Sequence, residues 1–279
     1  MVQIFNGRFI QEKLLKDIKA RAEGLSGRPK LVILSSGASP ESLLYINKKT
    51  SFGETVGCSV EHRRVDPSIS VKELRGLVDG VNSESSVDGL MFQIPFVSPL
   101  SVSETLDLID PGKDVDGLTA FNMGRLFRGD EAVIPATTRG ILEMLSHYEI
   151  SVAGKRVVVI GRSALVGRPT ALALLNRSAT VTVCHSGTRD LSSEVRLADI
   201  VISAVGDPGM ITPDMTHSEQ VLIDVGTSLG EDGKLRGDIE FRTVSETVKA
   251  ISPVPGGVGP LTVTSLFLNL IDLAELRRS

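Results

Sequence analysis

Short apolar runs of strand type alternate with segments of helical periodicity, and this alternation restricts the possible folds more than any other feature of the chain. The strand-like runs are residues 31–34, 60–65, 89–94, 156–160, 181–184, 200–205 and 221–225, and the predicted helices include 10–24, Ser39 to Val56, 71–81, 168–176 and 263–274. Strands that alternate with helices pair in parallel, and the helices cover both faces of the sheet. The sequence therefore predicts an α/β fold.

The alternation occurs in two series, which are separated by a stretch rich in Gly, Pro, Asp and Thr between residues 110 and 140. A chain of 279 residues also fits two domains of ordinary size. We therefore interpret this stretch as the crossing between two lobes. The predicted N-terminal α/β domain comprises residues 1–118 together with the C-terminal helix 262–279, and residues 119–261 form the second α/β domain.

Composition excludes several classes of protein. The 30 basic residues are outnumbered by 34 acidic ones, so no positive surplus exists to bind nucleic acid. The two cysteines, Cys58 and Cys184, are far apart and fit a reducing compartment. Residues 1–10 lack the apolar run of a secretory signal, and residues 263–276 are too short and too polar to span a bilayer. We expect a cytoplasmic protein without a membrane partner, and the four scattered histidines predict no metal site.

A glycine-rich turn follows the strand-like run 156–160 and precedes a helix. Gly161 permits a tight turn and Gly167 permits close packing of helix on strand, although the spacing matches the dinucleotide fingerprint only in part. Backbone N–H groups at such a helix start bind phosphate. The next strand ends without the carboxylate typical of NAD sites, whereas Ser186, with Arg162 or Arg189, could bind a 2′-phosphate. This pattern favours NADP.

Tyr45 and Lys49 are four residues apart on a predicted helix, so they share one face. A phenol and an amine on one face can hold a planar substrate and move a proton, provided that burial or a nearby cation lowers the pKa of the amine. Lys48 is three residues from Tyr45, so spacing alone does not separate the two lysines. Gln93 ends a strand-like run, where ligands of open α/β sheets collect, and it could hold an amine.

Two further segments are candidates for ligand contact. Asp114 and Asp116 lie in a Lys-Asp-Val-Asp-Gly stretch, but the further ligands of a metal site are missing at a useful spacing. The run Pro253–Pro260 contains three glycines in four residues, which let the backbone approach a ligand closely. Pro255, Gly256 and Gly257 are our candidates for substrate binding, and the alternative is that this stretch is only a rigid connecting loop.

These motifs occur in a fixed order over nearly the whole chain: Tyr45 with Lys49, 87–95, 113–117, 161–163 with 166–169, 184–186, 224–226, 237–238 and 253–260. Together they resemble the bifunctional methylenetetrahydrofolate dehydrogenase/methenyltetrahydrofolate cyclohydrolase family. The resemblance implies two α/β lobes with an active-site cleft between them, the C-terminal lobe being a Rossmann-like NAD(P)-binding domain. It also implies a homodimer built through the cofactor lobe, and NADP-dependent oxidation of 5,10-methylenetetrahydrofolate followed by hydrolysis to 10-formyltetrahydrofolate, a product used in purine biosynthesis.

Roles carried over from the family fall on matching positions. Lys49, rather than Lys48, would be the catalytic lysine, Gln93 would hydrogen-bond it, Tyr45 would position the pterin, and Asp116 would bind the pterin ring. The resemblance assigns NADP to Gly161, Arg162, Ser163 and Ser186, with Gly167 closing the turn, and Thr227 takes the place of a family isoleucine beside the cofactor.

The sequence departs from the family at Ala136, where members usually carry Cys, and at Thr227. Two other functions remain possible at this stage. A shikimate-type NADP dehydrogenase would need a Lys–Asp pair but would not require the block from Pro255 to Pro260. A non-catalytic nucleotide-binding regulator could keep the glycine turn without Tyr45, Lys49, Gln93 and Asp116.

Overall fold

We describe residues 2–37, 40–230 and 232–278 of a computed structural model, except for the side chains of residues 40 and 41. The strands are β1 (Gln3–Ile4), β2 (Lys30–Ser36), β3 (Ser59–Val65), β4 (Gly89–Phe92), β5 (Arg156–Ile160), β6 (Thr180–Cys184), β7 (Ile200–Ser203), β8 (Val221–Asp224), β9 (Ser228–Leu229), β10 (Leu235–Arg236) and β11 (Ala250–Ile251). The helices are α1 (Gly7–Gly24), α2 (Pro40–Thr55), α3 (Val71–Ser83), α4 (Val102–Leu106), α5 (Ala120–Phe127), α6 (Ala136–His147), α7 (Gly167–Asn176), α8 (Leu191–Leu197), α9 (Phe241–Val244) and α10 (Val258–Arg278).

The chain divides into two compact units. Residues 13–136 and 263–279 form one, here called the lysine unit, and residues 1–12 and 137–262 form the other, here called the turn unit. The division falls at 136/137 rather than at the expected 118/119, because residues after 118 bond back to the lysine unit. Asn122 Nδ2 donates to Asp114 Oδ2 over 2.9 Å, and Asn269 Nδ2 donates to Ile134 O over 2.9 Å.

The lysine unit contains a parallel sheet in the order β3-β2-β4. Leu31 and Ile33 of β2 lie in a buried cluster that also contains Ile46 of α2 and Phe267 and Leu270 of α10. Because side chains alternate along a strand, this face of β2 is covered by helices. The arrangement places the carboxyl ends of β2 and β4 side by side.

The turn unit contains a six-stranded parallel sheet in the order β1-β11-β8-β7-β5-β6. The chain runs from β5 outward to β6 on one side and to β7 on the other, so the strand order reverses between β5 and β7. In open α/β sheets such a switch point forms the ligand crevice at the carboxyl ends of the strands. Residues 1–12, expected in the N-terminal domain, join this unit instead because β1 pairs with β11.

Several predicted boundaries differ from the structure. Ser39, the expected first residue of the helix before Lys49, lies outside the described residues, and α2 is described from Pro40. The strand predicted at 89–94 ends at Phe92, and the one predicted at 200–205 ends at Ser203. The predicted crossing at 110–140 contains α5 and the start of α6. Gly117 and Gly129 lie in the turns before and after α5 and have positive φ, whereas Gly124 and Gly140 lie within α5 and α6.

The last helix is longer than expected. In the described part of the chain, α10 is the one helix that is long and apolar enough to cross a membrane by length and composition. However, 67% of its most apolar window is buried inside the protein. Its apolar residues contribute to the buried cluster of the lysine unit, which is the property of a core helix.

Candidate active site

A buried lysine lies at the centre of the lysine unit. Lys49 of α2 is 9% exposed, and its Nζ donates to Gln93 Oε1 over 2.8 Å. Gln93 directly follows β4, and its backbone N–H donates to Leu34 O over 2.8 Å, so the sheet fixes its place. The Gln93 amide nitrogen donates to Ile94 O over 3.0 Å, which turns the amide oxygen towards the lysine. The bond that the resemblance implies is therefore present.

Charge around Lys49 is balanced by a nearby carboxylate. Burial lowers the pKa of Lys49, while the negative charge of Asp116 opposes this. Burial raises the pKa of Asp116 to about 6. The positive charge of Lys49 lowers this pKa, and the negative charge of Asp114 raises it further. The Asp116 side chain is partly exposed to solvent. An amine and a carboxyl group whose pKa values shift towards neutrality can exchange protons with a bound molecule near neutral pH.

The two aspartates of the Lys-Asp-Val-Asp-Gly stretch have different surroundings. Asp114 accepts hydrogen bonds from Gly117 N, Thr119 N and Asn122 Nδ2, each over 2.9 Å. These bonds shape the loop, so Asp114 is structural. Asp116 is the member of the pair that interacts electrostatically with Lys49.

The loop that carries Asp116 is held by an amide in the last helix. Asn269 is 1% exposed, and its Nδ2 donates to Val115 O over 2.8 Å and to Ile134 O over 2.9 Å. In addition, Ala136 N donates to Asp116 O over 3.2 Å. We did not select Asn269 from the sequence. The available signal was a single amide between the apolar residues of a core helix.

Tyr45 lies at the outer part of the same helix. It is 38% exposed, and Lys48 Nζ lies 5.3 Å from the centroid of its ring, a cation–π distance. Lys48 is exposed, whereas Lys49 is buried. The structure therefore separates the two lysines that spacing left equivalent.

The glycine-rich turn of the turn unit lies beside the switch point. Gly161 follows β5 with φ +109°, and its N–H donates to Cys184 O over 2.9 Å. A Cβ at Gly161 would lie 2.5 Å from Ala204 O, and one at Gly167 would overlap Gly161 O. Both positions therefore require glycine, the first for its conformation and both for close approach of backbone.

Ser163 lies in the turn that leads into α7. Its Oγ accepts from Val166 N over 3.2 Å and from Gly167 N over 3.4 Å. Since these contacts use the lone pairs, the hydroxyl proton is available to a ligand acceptor. Arg162, beside it, is exposed. The turn thus combines a helix N-terminus, a hydroxyl donor and a cation, which are the groups that bind phosphate.

The end of β6, next to β5, carries the expected polar group. Ser186 and Arg189 are exposed there. Asp190, the nearest following carboxylate, accepts from Ser193 N over 2.9 Å and Ser193 Oγ over 2.8 Å, which caps α8. This carboxylate is engaged in a helix cap. Thr227, after β8, is also exposed.

The glycine loop before α10 is supported by the start of α1. Gly256 has φ +107°, and its carbonyl accepts from Gly7 N over 2.8 Å. A Cβ at Gly7 would overlap Gly257 O. Pro255 is exposed and Gly257 is buried. No local sequence pattern indicates the role of Gly7, because its partner Gly256 lies almost the whole length of the chain away.

The described residues contain no group of three or more His, Cys, Asp or Glu that could hold a metal ion. The fold is that of an α/β enzyme, with a glycine turn of the phosphate-binding type in one unit and a buried, hydrogen-bonded lysine in the other. This is the class of the nucleotide-dependent dehydrogenases.

Two family models match the chain. Residues 5–116 match the catalytic domain of tetrahydrofolate dehydrogenase/cyclohydrolase, and residues 135–278 match its NAD(P)-binding domain. The second match includes α10, whereas in the structure most of α10 belongs to the lysine unit. The chain belongs to the tetrahydrofolate dehydrogenase/cyclohydrolase family.

Relatives match over their full length. The bifunctional protein FolD of Methanosphaerula palustris is 42% identical, over 98% of each chain, and that of Staphylococcus haemolyticus is 38% identical, over 100% of this chain and 99% of the relative. The solved bifunctional FolD of Campylobacter jejuni has a TM-score of 0.97 at 35% identity, over 99% of this chain and 100% of that one.

A second solved structure is that of the FolD of Trypanosoma brucei in complex with NADP and an inhibitor. It has a TM-score of 0.92 at 30% identity, over 99% of this chain and 98% of that one. Shikimate dehydrogenase of Aquifex aeolicus has a TM-score of 0.54 at 12% identity over 90% of this chain and 98% of that one, a likeness of fold alone.

Proposed function

We propose that this chain catalyses two consecutive reactions on a folate one-carbon carrier. In the first, 5,10-methylenetetrahydrofolate is oxidised to 5,10-methenyltetrahydrofolate with NADP⁺. In the second, the methenyl compound is hydrolysed to 10-formyltetrahydrofolate. The observation that carries the proposal is the buried Lys49–Gln93 hydrogen bond beside the carboxyl group of Asp116. A regulator that only binds nucleotide has no need for a buried lysine held in this way.

In the hydrolysis step, the role of Lys49 is to transfer protons. Water adds to the methenyl carbon and loses a proton, which leaves a neutral carbinol. The bond from this carbon to N5 then breaks as N5 takes up a proton, and the carbinol hydroxyl loses its proton to solvent as it becomes the formyl carbonyl, so one proton is released overall. The neutral Lys49 amine accepts the first proton, and its ammonium form returns one to N5. The bound methenyl cation lowers the pKa of Lys49 further, in the same direction as burial does. Asp116 accepts hydrogen bonds from the pterin, and Tyr45 lies against its ring.

Oxidation requires the protein mainly to hold donor and acceptor carbons in alignment. When bound, the nicotinamide supplies the hydride acceptor. The turn unit fits this cofactor, because Gly161 and Gly167 leave space that any Cβ would fill and Ser163 can donate to a phosphate. Pro255, Gly256 and Gly257 form a backbone surface for the substrate.

NADP rather than NAD is supported by the end of β6. Ser186 can donate to a 2′-phosphate there, and Arg162 or Arg189 can pair with its charge. Asp190, which could otherwise accept from ribose hydroxyls, is engaged in the cap of α8. Thr227 is available beside the cofactor after β8.

We also propose a homodimer built through the turn unit. β6 ends the order of its sheet, and an open edge strand can pair with another strand. Three apolar side chains on β6 and on the helices that precede and follow it in the chain are exposed: Val183 of β6 (38%), Leu175 of α7 (57%) and Leu197 of α8 (60%). Antiparallel pairing of β6 with β6 of a second copy would form a twofold interface that covers them. Val183→Lys is then expected to give a monomer in light scattering, and an unchanged dimer would contradict this interface.

For its location we propose the cytoplasm, where one-carbon units are supplied to purine biosynthesis. Cys58 and Cys184 are both free and buried, which is compatible with a reducing compartment.

The reaction assay offers NADP⁺ and NAD⁺ in parallel with methylenetetrahydrofolate and follows the absorbance of reduced nicotinamide. Reduction of neither cofactor would refute the dehydrogenase proposal. Lys49→Ala is expected to abolish hydrolysis of the methenyl compound, measured as its decay in a stopped-flow assay. Lys48→Ala, the matched control, is expected to retain hydrolysis at saturating substrate. Full hydrolysis in Lys49→Ala would remove the lysine from the mechanism.

A further inference from the structure

Two motifs of the turn unit, Asp224-Val225-Gly226 and Gly237-Asp238, take no part in the proposed reactions. The structure joins them through backbone bonds. Asp224 lies at the end of β8, and its carboxyl oxygens accept from Asp238 N over 3.0 Å and from Ile239 N over 2.9 Å. Asp224 N in turn donates to Ser252 Oγ over 2.8 Å. These bonds fix the backbone of Asp238 relative to the sheet.

The Asp238 carboxylate is fully buried and accepts four hydrogen bonds, one from the last residue of β7 and three from the loop after it. Its Oδ2 accepts from Ser203 Oγ and Val205 N, each over 2.8 Å. Its Oδ1 accepts from Gly206 N over 2.8 Å and from Asp207 N over 2.9 Å. Three successive backbone N–H groups thus converge on one carboxylate, the arrangement of an anion-binding nest. The loop conformation is therefore set by a side chain from elsewhere in the fold.

Two glycines make this contact possible. A Cβ at Gly226 would overlap the Asp238 carboxylate, and a Cβ at Gly237 would overlap that of Asp224. The two motifs are thus paired, each glycine leaving space for the aspartate of the other. The positions of the two carboxylates therefore explain why each motif contains a glycine.

The loop that Asp238 holds lies at the switch point of the sheet. β7 is the neighbour of β5 across this point, and Ala204 N donates to Ile160 O over 2.8 Å. A Cβ at Gly161 would lie 2.5 Å from Ala204 O. The glycine turn and the loop 204–207 therefore form the two sides of the crevice in which such sheets bind their cofactor.

We propose that Asp238 is a positioning residue for the nucleotide cofactor: its carboxylate holds residues 204–207 in the conformation that forms the β7 side of the crevice. The proposal rests on the assignment of NADP to this crevice. Asp238 itself lies behind the loop and acts through it. Loss of the carboxylate affects cofactor binding, whereas methenyl hydrolysis depends on groups in the lysine unit.

The test is Asp238→Asn in the full-length chain. An amide in this place turns one N–H₂ group towards backbone donors, so it cannot keep all four bonds. We expect the KM for NADP⁺ to rise roughly tenfold or more, as is typical when hydrogen bonds to a charged group are lost. The methenyl hydrolysis rate, which needs no cofactor, is expected to stay at the wild-type level. An unchanged KM for NADP⁺ in a folded Asp238→Asn protein would overturn the proposal.

The matched control is Asp199→Asn. The Asp199 carboxylate also accepts a backbone bond, from Arg156 N over 2.8 Å, but at the amino ends of β5 and β7. It is expected to leave the KM for NADP⁺ unchanged. If Asp238→Asn fails to fold, the test is Ser203→Ala, which removes one hydrogen-bond donor to the Asp238 carboxylate. A raised KM for NADP⁺ in this variant supports the proposal, and an unchanged KM for NADP⁺ refutes it. Failure of the wild-type protein to bind NADP⁺ would instead refute the proposed function.

Discussion

Replacement of Gln93 by Leu tests how the lysine is tuned. The substitution keeps a similar volume but removes the amide oxygen that accepts the 2.8 Å bond from Lys49 Nζ. A hydrogen bond to a charged group contributes about 1.5–3 kcal/mol, and the bond favours the ammonium form. Because about 1.36 kcal/mol corresponds to one pH unit, the pKa of Lys49 is expected to fall by roughly one to two pH units in the variant.

The assay is the pH dependence of methenyl hydrolysis under single-turnover conditions. If the neutral amine accepts the proton from water, the rate rises with pH as the lysine loses its proton. The rising limb of Gln93→Leu is then expected at lower pH than that of the wild type. Gln93→Glu, which places a negative charge beside the amine, is expected to move the limb to higher pH.

Asp116 is the second titrating group of this site, and its pKa is raised to about 6. The same profile is therefore measured in Asp116→Asn, in which the rising limb is expected to move to lower pH, because the negative charge that opposes the fall in the pKa of Lys49 is lost. If Gln93→Leu and Gln93→Glu both kept the wild-type midpoint, the hydrogen bond would have no influence on the catalytic proton, and the reasoning would be refuted.

Three further predictions concern residues that support the two units. Asn269→Ala removes two bonds of about 1 kcal/mol each that hold the loop of Asp116, so the KM for folate is expected to rise by up to about thirtyfold while the KM for NADP⁺ stays constant. Equal changes of the two KM values in steady-state kinetics would contradict a local effect. Burial raises the pKa of Asp224 from 3.8 to about 7, so the folded protein holds a proton that the unfolded chain releases. The contribution of this carboxyl group to the free energy of unfolding is then greatest below pH 3.8, and it falls by up to about 4 kcal/mol as pH rises to 7. Urea titrations over this pH range should show a smaller fall for Asp224→Asn than for the wild type. Gly7→Ala places a Cβ against Gly257 O and is expected to lower the free energy of unfolding by about 1–3 kcal/mol. A urea titration measures this change. An unchanged unfolding midpoint would show that the loop around Gly257 moves aside without loss of stability.

The fold class could be predicted from the sequence because its signals are local. Strand and helix periodicity, and the glycine turn between them, depend on residues close together in the chain. The run 156–160 and the helix after it were located within one residue of their observed bounds. Short helices such as α4 and α5 were missed, because they are too short for a periodic pattern and lie among glycines and prolines.

The candidate site was only partly accessible in this way. The helical spacing from Tyr45 fits both Lys48 and Lys49. The structure distinguishes them, because Lys49 is buried and bonded to Gln93. Likewise, residue type alone offered two aspartates. The resemblance pointed to Asp116, and in the structure Asp114 bonds to its own loop whereas Asp116 interacts with the amine.

The sequence by itself determined that this chain forms parallel α/β units, one of them with a glycine turn between strand and helix, since pattern and turn chemistry act over a few residues. Only the tertiary structure decided that residues 1–12 join the turn unit, that Asn269 holds the loop of Asp116, and that Asp238 holds the loop after β7. Each of these depends on partners distant in sequence. A buried donor or acceptor must find a partner wherever folding places it, and no local pattern records that choice.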